Sequence, residues 1–384
     1  MNKEMLRLAF QNIYQCAPTA AYFSPGRVNL IGEHIDYHGG LVLPAAITIG
    51  IWGAIKPRTD QVLSIYSEGY SLTPLLIPFD KQEKNASSSW ADYARGVIYM
   101  LQQAGYHLPY GFDLYVTSTM PTSGGLSSSS AFELLLLTIF NDLFDLKITK
   151  TEMALLGKKV ENDFIGVLTG IMDQFVIAHG QKDQALLLNT TTLTYRYIPL
   201  ELGNYTLLVA NTNKKRGLAD SKYNERFHET MGALKILQTK FSVKHLTELK
   251  EDALPVIKKM LDEVSFRRVK HVITEQQRTL ASGEALKSGD IMTFARYLNG
   301  SHQSLKEDYE VTGIELDTLV DLCLDYGAIG ARMTGAGFGG CAICLVKKEN
   351  EGSLINKVVA AYKKKIGYAP TFYQASASNG TAKI

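Results

Sequence analysis

P-T-S-G-G-L-S-S-S-S-A, residues 121–131, decides how this chain is to be read. The alternating run before it, residues 112–118, predicts a strand, and the apolar run after it, residues 126–144, predicts a helix. Gly124 and Gly125 let the connecting backbone approach a ligand closely. The helix start adds unpaired N–H groups and the positive end of the peptide dipoles, and phosphate suits such a place. Ser127, Ser128, Ser129 and Ser130 add hydroxyl donors and a candidate magnesium ligand. No Lys follows the glycines, so this is not the G-x-x-x-x-G-K-[ST] loop. A serine-rich helix cap is the plain alternative.

Outward from this loop the elements are mixed. Residues 1–16 predict an amphipathic helix, and 41–56 and 62–67 predict strands. Residues 90–104 predict a helix with a serine-rich start at 87–89. Helices at 152–164 and 171–178, a hairpin at 185–200 and a strand at 205–211 follow. Long charged helices are expected from 220 to about 306, then a helix at 315–326, strands flanking 335–340, a helix at 353–365 and a terminal strand. This order predicts α+β layers, not a doubly wound sheet. With 384 residues, 46% of them hydrophobic, two domains are expected, divided as 1–195 and 196–384.

The 40 basic and 38 acidic residues give a net charge of +2, which offers no electrostatic case for nucleic acid or an anionic membrane. Cys341 and Cys344 have C-x-x-C spacing but lie in the apolar run C-A-I-C-L-V, and the other cysteines, Cys16 and Cys323, make no second such pair. Buried structural thiols in a reducing compartment are expected. The N-terminus lacks the apolar core of a signal peptide, and no run approaches ~18 uninterrupted apolar residues. The expectation is a soluble, cytoplasmic protein.

A second segment, G-R-V-N-L-I-G-E-H-I-D-Y-H-G-G at residues 26–40, packs Arg27, Glu33, His34 and Asp36 into one turn-rich stretch. Carboxylates accept hydrogen bonds from sugar hydroxyls, and an Arg can steady charge that builds during transfer. A third, M-T-G-A-G-F-G-G-C at 333–341, contains G-x-G-x-x-G, but a strand follows it rather than a helix, so the dinucleotide reading fails on context. The protein-kinase motifs H-R-D and D-F-G are absent from the sequence.

Residues 26–40 closely resemble the signature of galactokinases, members of the superfamily that includes homoserine, mevalonate and phosphomevalonate kinases. The loop at 121–131 and the glycine-rich segment at 333–341 resemble that superfamily's other two motifs, in the same order. The resemblance spans residue 20 to 341 and onward. It implies a two-domain α+β small-molecule kinase fold with the active site in the inter-domain cleft. It also implies ATP-dependent phosphorylation of the anomeric hydroxyl of α-D-galactose, with Mg²⁺ and no obligate protein partner.

By the same resemblance, Asp173 of G-I-M-D-Q is the catalytic base and Arg27 its ionic partner. Glu33, His34, Asp36, Gly170 and Tyr223 line the sugar. Trp90, Tyr93, Gly124, Gly125, Leu126 and Ser127 to Ser130 hold ATP, and Ser129 and Glu161 hold the metal. Residues 211–226 resemble a lid over the sugar. The chain departs from the pattern at Ile35, His38, Ser130, Thr169 and Phe227. Ile35 and His38 flank the sugar acids, and E-H-I-D-Y also occurs in N-acetylgalactosamine kinases. That activity, and an idle galactose sensor on the same fold, are the alternatives.

Overall fold

The computed structural model describes residues 1–84, 90–121, 124–214 and 219–384. The serines at 87–89 expected to start a helix, Thr122 and Ser123 of the loop, and residues 215–218 of the lid segment lie outside the described residues.

Helix α1 (Lys3–Tyr14) starts at Asn2, whose side chain accepts the Met5 N–H, and it packs Leu6 and Phe10 inward. There follow β1 (Ala20–Asn29), β2 (Leu41–Val42), β3 (Pro44–Pro57), β4 (Val62–Ser67), β5 (Leu75–Pro78), α2 (Asp92–Gln103), β6 (Phe112–Ser118) and α3 (Ser128–Phe144). Next are α4 (Lys150–Lys159), α5 (Met172–His179), the hairpin β7 (Gln184–Asn189) and β8 (Tyr195–Pro199), and β9 (Tyr205–Asn211). The rest is α6 (Ala219–Leu237), α7 (Leu254–Met260), α8 (Glu263–Lys287), α9 (Ile291–Glu307), α10 (Ile314–Asp325), β10 (Gly330–Thr334), β11 (Cys341–Lys347), α11 (Glu351–Ile366), β12 (Thr371–Gln374) and β13 (Ala382–Lys383).

Three sheets organise the described residues. The first has the order β13-β1-β3-β6-β4-β5, the second β10-β11-β9-β12 and the third β2-β7-β8. Only β4 with β6 is parallel. Helix α3 has almost no polar face because it is the central helix of the first layer, packed against β1, β3, α2, α4 and α5. In the second layer β9 and β11 are buried nearly end to end, with α10 and α11 packed on β11 and α9 on β10. Mixed layers of this kind match the α+β expectation.

Four details differ from the sequence reading. Residues 20–29 form a ten-residue strand despite Pro25 and Gly26, because the register with β3 shifts there and the bulge takes up the misfit. The single strand expected at 41–56 breaks at Leu43, so β2 and β3 enter different sheets. Strand β5 was not foreseen. The helix expected to reach 164 ends at Lys159 and passes into a π-helical turn, Val160–Ile165.

The expected division at 195/196 falls at the first residue of β8. The first sheet draws its β13 edge from the far end of the chain: Tyr22 and Phe23 pair with Lys383 and Ala382, and the Ile384 N–H bonds the Ala21 carbonyl at 2.9 Å. Cys323, Cys341 and Cys344 are buried, as structural thiols would be. Among the described residues no helix is long and apolar enough to cross a membrane.

Candidate active site

Arg27 lies on β1, opposite Ala46 of β3, and its own N–H bonds the Leu126 carbonyl of the glycine loop at 3.1 Å. Its side chain is 5% exposed and makes a two-pronged contact with Asp173: Nε to Oδ1 at 2.8 Å and Nη2 to Oδ2 at 2.7 Å. The third arm, Nη1, donates to the Gly125 carbonyl at 2.7 Å. Burial works against the guanidinium charge, but Asp173, Glu33 and Asp36 outweigh it and raise the Arg27 pKa.

Asp173 occupies the first turn of α5, where the peptide dipoles favour an anion. Ser127 also donates to its Oδ2. Ser127 is the residue before α3 and has φ +62°, a left-handed conformation that turns the chain from the loop into the helix. The phosphate loop and the Asp–Arg pair are thus parts of one hydrogen-bonded unit.

One end of the cleft carries the acids of the signature. Glu33 is 3% exposed and accepts from Arg332 Nη2 at 2.7 Å and the Gly335 N–H at 3.1 Å, both on Oε2. Burial raises its pKa, opposed by Arg332 and Arg27. Asp36 lies against Gly170 so closely that a Cβ there would be 1.8 Å from Oδ2. Burial, then the nearby Asp173 and Glu33 charges, push the Asp36 carboxyl up to about 7. His34 has φ +60°; its Nδ1 is 3.0 Å from the Tyr37 hydroxyl and its Nε2 is 3.1 Å from the Ala336 carbonyl. Nε2 therefore carries the proton and Nδ1 accepts. Burial, helped by His271, lowers its pKa to about 3, so the ring is neutral. The Tyr223 ring is 5.5 Å from the His34 ring.

The other end holds the start of α3. Ser129 Oγ donates to Glu161 Oε1 at 2.7 Å and Ser130 Oγ is 3.5 Å from the same oxygen. Glu161 is 6% exposed, sits in the π-helical turn, and has its pKa raised by burial, with Ser129 opposing. Behind it, Glu133 of α3 is fully buried, and burial with the Glu161 charge pushes its pKa well up. Gln174 Nε2 is 3.5 Å from the Glu133 carboxyl.

One cleft joins these groups. It is lined by Arg27, Glu33, His34, Asp36, Tyr93, Gly125, Ser127, Ser128, Ser129, Glu161, Gly170, Asp173 and Tyr223, with Gly335 and Ala336 from the third motif. A Cβ on Gly335 would meet the Gly125 carbonyl at 2.8 Å, so the third motif packs directly on the loop. Four expected residues stand back from the cleft. Trp90 packs toward Phe132, with ring centres 6.4 Å apart. Leu126 is buried in an apolar cluster, Ser130 is 1% exposed beside Glu161, and Gly124 folds against Pro121. Ile35 and His38, the departures nearest the sugar acids, are both buried and do not line the cleft.

Sequence reasoning missed the residues that hold the signature from behind. Glu275 of α8 accepts the Gly32 and Glu33 N–H groups on Oε1 at 3.0 and 3.2 Å. Despite full burial its pKa is held down at about 2 by Arg278, His271 and Arg332. His271 Nε2 bonds the Glu33 carbonyl at 3.0 Å. The available signal was an Arg inside the apolar strand G-A-R-M-T.

The galactokinase galactose-binding signature matches residues 8–57. The N-terminal and C-terminal domains of GHMP kinases match 92–181 and 284–364. A galactokinase of Enterococcus faecalis is 47% identical over 100% of both chains, and one of Streptococcus mutans is 45% identical over 99% of this chain and 98% of that one. The crystal structure of Lactococcus lactis galactokinase complexed with galactose superposes with a TM-score of 0.96, at 42% identity and 99% coverage of each chain. A mevalonate kinase structure shares the fold, with a TM-score of 0.66 at 21% identity, covering 94% of this chain and 100% of that one.

Proposed function

The chain belongs to the galactokinase family, and from that premise we propose how its cleft transfers the γ-phosphoryl group of ATP to the anomeric hydroxyl of α-D-galactose, giving α-D-galactose 1-phosphate and ADP. One observation carries the reading. Asp173, gripped by both prongs of Arg27, lies between the sugar-type acids Glu33 and Asp36 and the serine-rich start of α3.

Galactose occupies the end formed by Glu33, His34, Asp36, Gly170 and Tyr223. Buried carboxylates accept from its hydroxyls, and the His34 ring, with its two nitrogens taken by Tyr37 and Ala336, walls that end. The backbone of Gly170 lets the sugar acid Asp36 approach the start of α5. ATP lies over Tyr93 and the loop, with its phosphates at Ser127, Ser128 and Ser129 and the N–H groups behind them. Gly124, Leu126, Ser130 and Trp90 shape that loop and its neighbouring wall from behind.

Asp173 takes or orients the anomeric hydroxyl proton. Arg27 fixes the Asp173 carboxylate through its two-pronged contact, and its charge offsets that developing on the transferring group. Phosphoryl transfer asks mainly for this positioning and charge balance. Ser129 and Glu161 would hold Mg²⁺. Two hard oxygens already converge there at 2.7 Å. Bound there, the ion would supply positive charge to the phosphate oxygens.

The same reading has residues 1–195 carrying the sugar signature, loop and Asp173, and 196–384 the lid segment and third motif. It has the protein working in the cytoplasm on two small molecules. The test is an ADP-release assay with galactose, N-acetylgalactosamine, glucose and mevalonate, and phosphorus NMR of the product. Galactose alone should support rapid turnover. Faster turnover of N-acetylgalactosamine, or none of any sugar, would overturn the reading.

A further inference from the structure

We infer that Arg332, a buried residue outside the cleft, is a positioning residue that sets the Glu33 carboxylate for the sugar. The inference rests on the galactokinase reading above.

Arg332 is on β10 and is 0% exposed. Its Nη2 donates to Glu33 Oε2 at 2.7 Å, while Nη1 donates to the carbonyls of Asn29 and Leu30 at 2.8 and 2.9 Å. One planar guanidinium therefore grips the side chain of Glu33 and the backbone that leads into the signature turn. The Gly335 N–H adds a second bond to the same Glu33 oxygen at 3.1 Å. Oε2 thus takes two bonds from the second layer, and the carboxylate so held belongs to a residue that lines the cleft. A further bond ties the same strands together: the Asn29 N–H donates to Thr334 Oγ1 at 2.9 Å.

The surroundings make the effect specific. The Glu33 peptide is held separately by Glu275 and His271 from α8. Removing the Arg332 guanidinium therefore frees the Glu33 carboxylate and the Asn29 and Leu30 carbonyls, while the Glu33 peptide itself stays held. A Lys offers one compact charge and cannot span the carboxylate and two carbonyls at once. Arg332 touches neither Asp173 nor the loop in the bonds it makes, so its loss should fall on sugar affinity and leave nucleotide affinity alone.

The experiment measures kcat, KM for galactose and KM for ATP in wild type, Arg332→Lys, Arg332→Met, Glu33→Gln and the Arg332→Met/Glu33→Gln double variant. Circular dichroism checks folding. Expected is a rise in KM for galactose of about tenfold or more in Arg332→Met, a smaller rise in Arg332→Lys, and KM for ATP within about twofold throughout. Because the arginine acts through the glutamate, the double variant should be no worse than the worse single variant. Rises in both KM values together, or galactose effects that multiply in the double variant, would show a merely structural arginine and overturn the inference. If Arg332→Met does not fold, the cycle is closed with Arg332→Lys and Glu33→Gln and judged by the same criteria. Wild type inert on galactose would fail the functional reading. Wild type active on galactose, with Arg332 variants of unchanged KM, would fail this inference alone.

Discussion

Asp36→Asn should trade function for stability in a pH-dependent way. In the ligand-free protein, burial and the charges of Asp173 and Glu33 raise the Asp36 pKa from 3.8 to about 7. A carboxyl with a raised folded pKa contributes stability that is whole below the unfolded pKa and is lost as pH climbs through the folded one. The asparagine amide never ionises, so the variant escapes that loss. Between about pH 5 and pH 8.5 roughly two units of the shift are crossed, at about 1.36 kcal/mol per unit, which sets a ceiling of roughly 3 kcal/mol. Asp36 faces a cleft open to water, which screens its neighbours, so about half of that is expected. Urea unfolding of both proteins without ligand, across this pH range, measures it. The stability of Asp36→Asn relative to wild type should grow by about 1.5 kcal/mol with rising pH, while galactose binding is lost. A difference that stays flat with pH, or shrinks as pH rises, refutes the charge crowding inferred for the cleft.

Other substitutions probe the remaining parts. Asp173→Asn should abolish turnover while galactose still binds by calorimetry; activity within about tenfold of wild type would remove Asp173 from its role. Gly170→Ala puts a methyl 1.8 Å from Asp36 Oδ2, so that carboxylate must move. KM for galactose should then rise about tenfold with the fold intact, and an unchanged KM would mean that Asp36 does not meet the sugar in this pose. Glu161→Gln should raise the Mg²⁺ concentration for half-maximal rate, and an unaltered Mg²⁺ titration would leave Glu161 a structural acid. His34, His38 and His302 are buried, with pKa values lowered to about 3, chiefly by burial. Their stability contribution is present above about 6.5 and lost as pH falls, so unfolding midpoints should decline from pH 7 to pH 5 in Asp36→Asn.

The periodic elements were legible because their sequences agree with their surroundings. Residues 62–67, 112–118 and 205–211 became β4, β6 and β9 with the same bounds. Where a local signal and a tertiary demand disagreed, the reading lost. Pro25 and Gly26 argue against a strand, yet β1 runs through them because a bulge is easier than leaving β3 unpaired. Glu161 was expected on a regular helix, but the π-helical turn sets its place relative to Ser129. The site acids were readable because they cluster within 27–36. Ser127 was read as a phosphate donor, and its bond to Asp173 could not be seen, since the two are 46 residues apart. Arg332 stood out only as an Arg within an apolar strand, and neither its partner nor that of Glu275 could be read, since they lie 299 and 242 residues away.

The far end of the chain that edges the first sheet bears on how the protein is made. Strand β1 emerges early from the ribosome, but one of its neighbours, β13, comes from residues 382–383. The first sheet cannot be completed until the chain has been synthesised through β13, so the folding of the first layer waits on a long-range pairing. Until then Ala21, Tyr22 and Phe23 present an open strand edge, a template for pairing with another nascent chain. Loss of the last few residues would therefore be felt in solubility during expression before it was felt in the chemistry of a cleft that those residues do not touch.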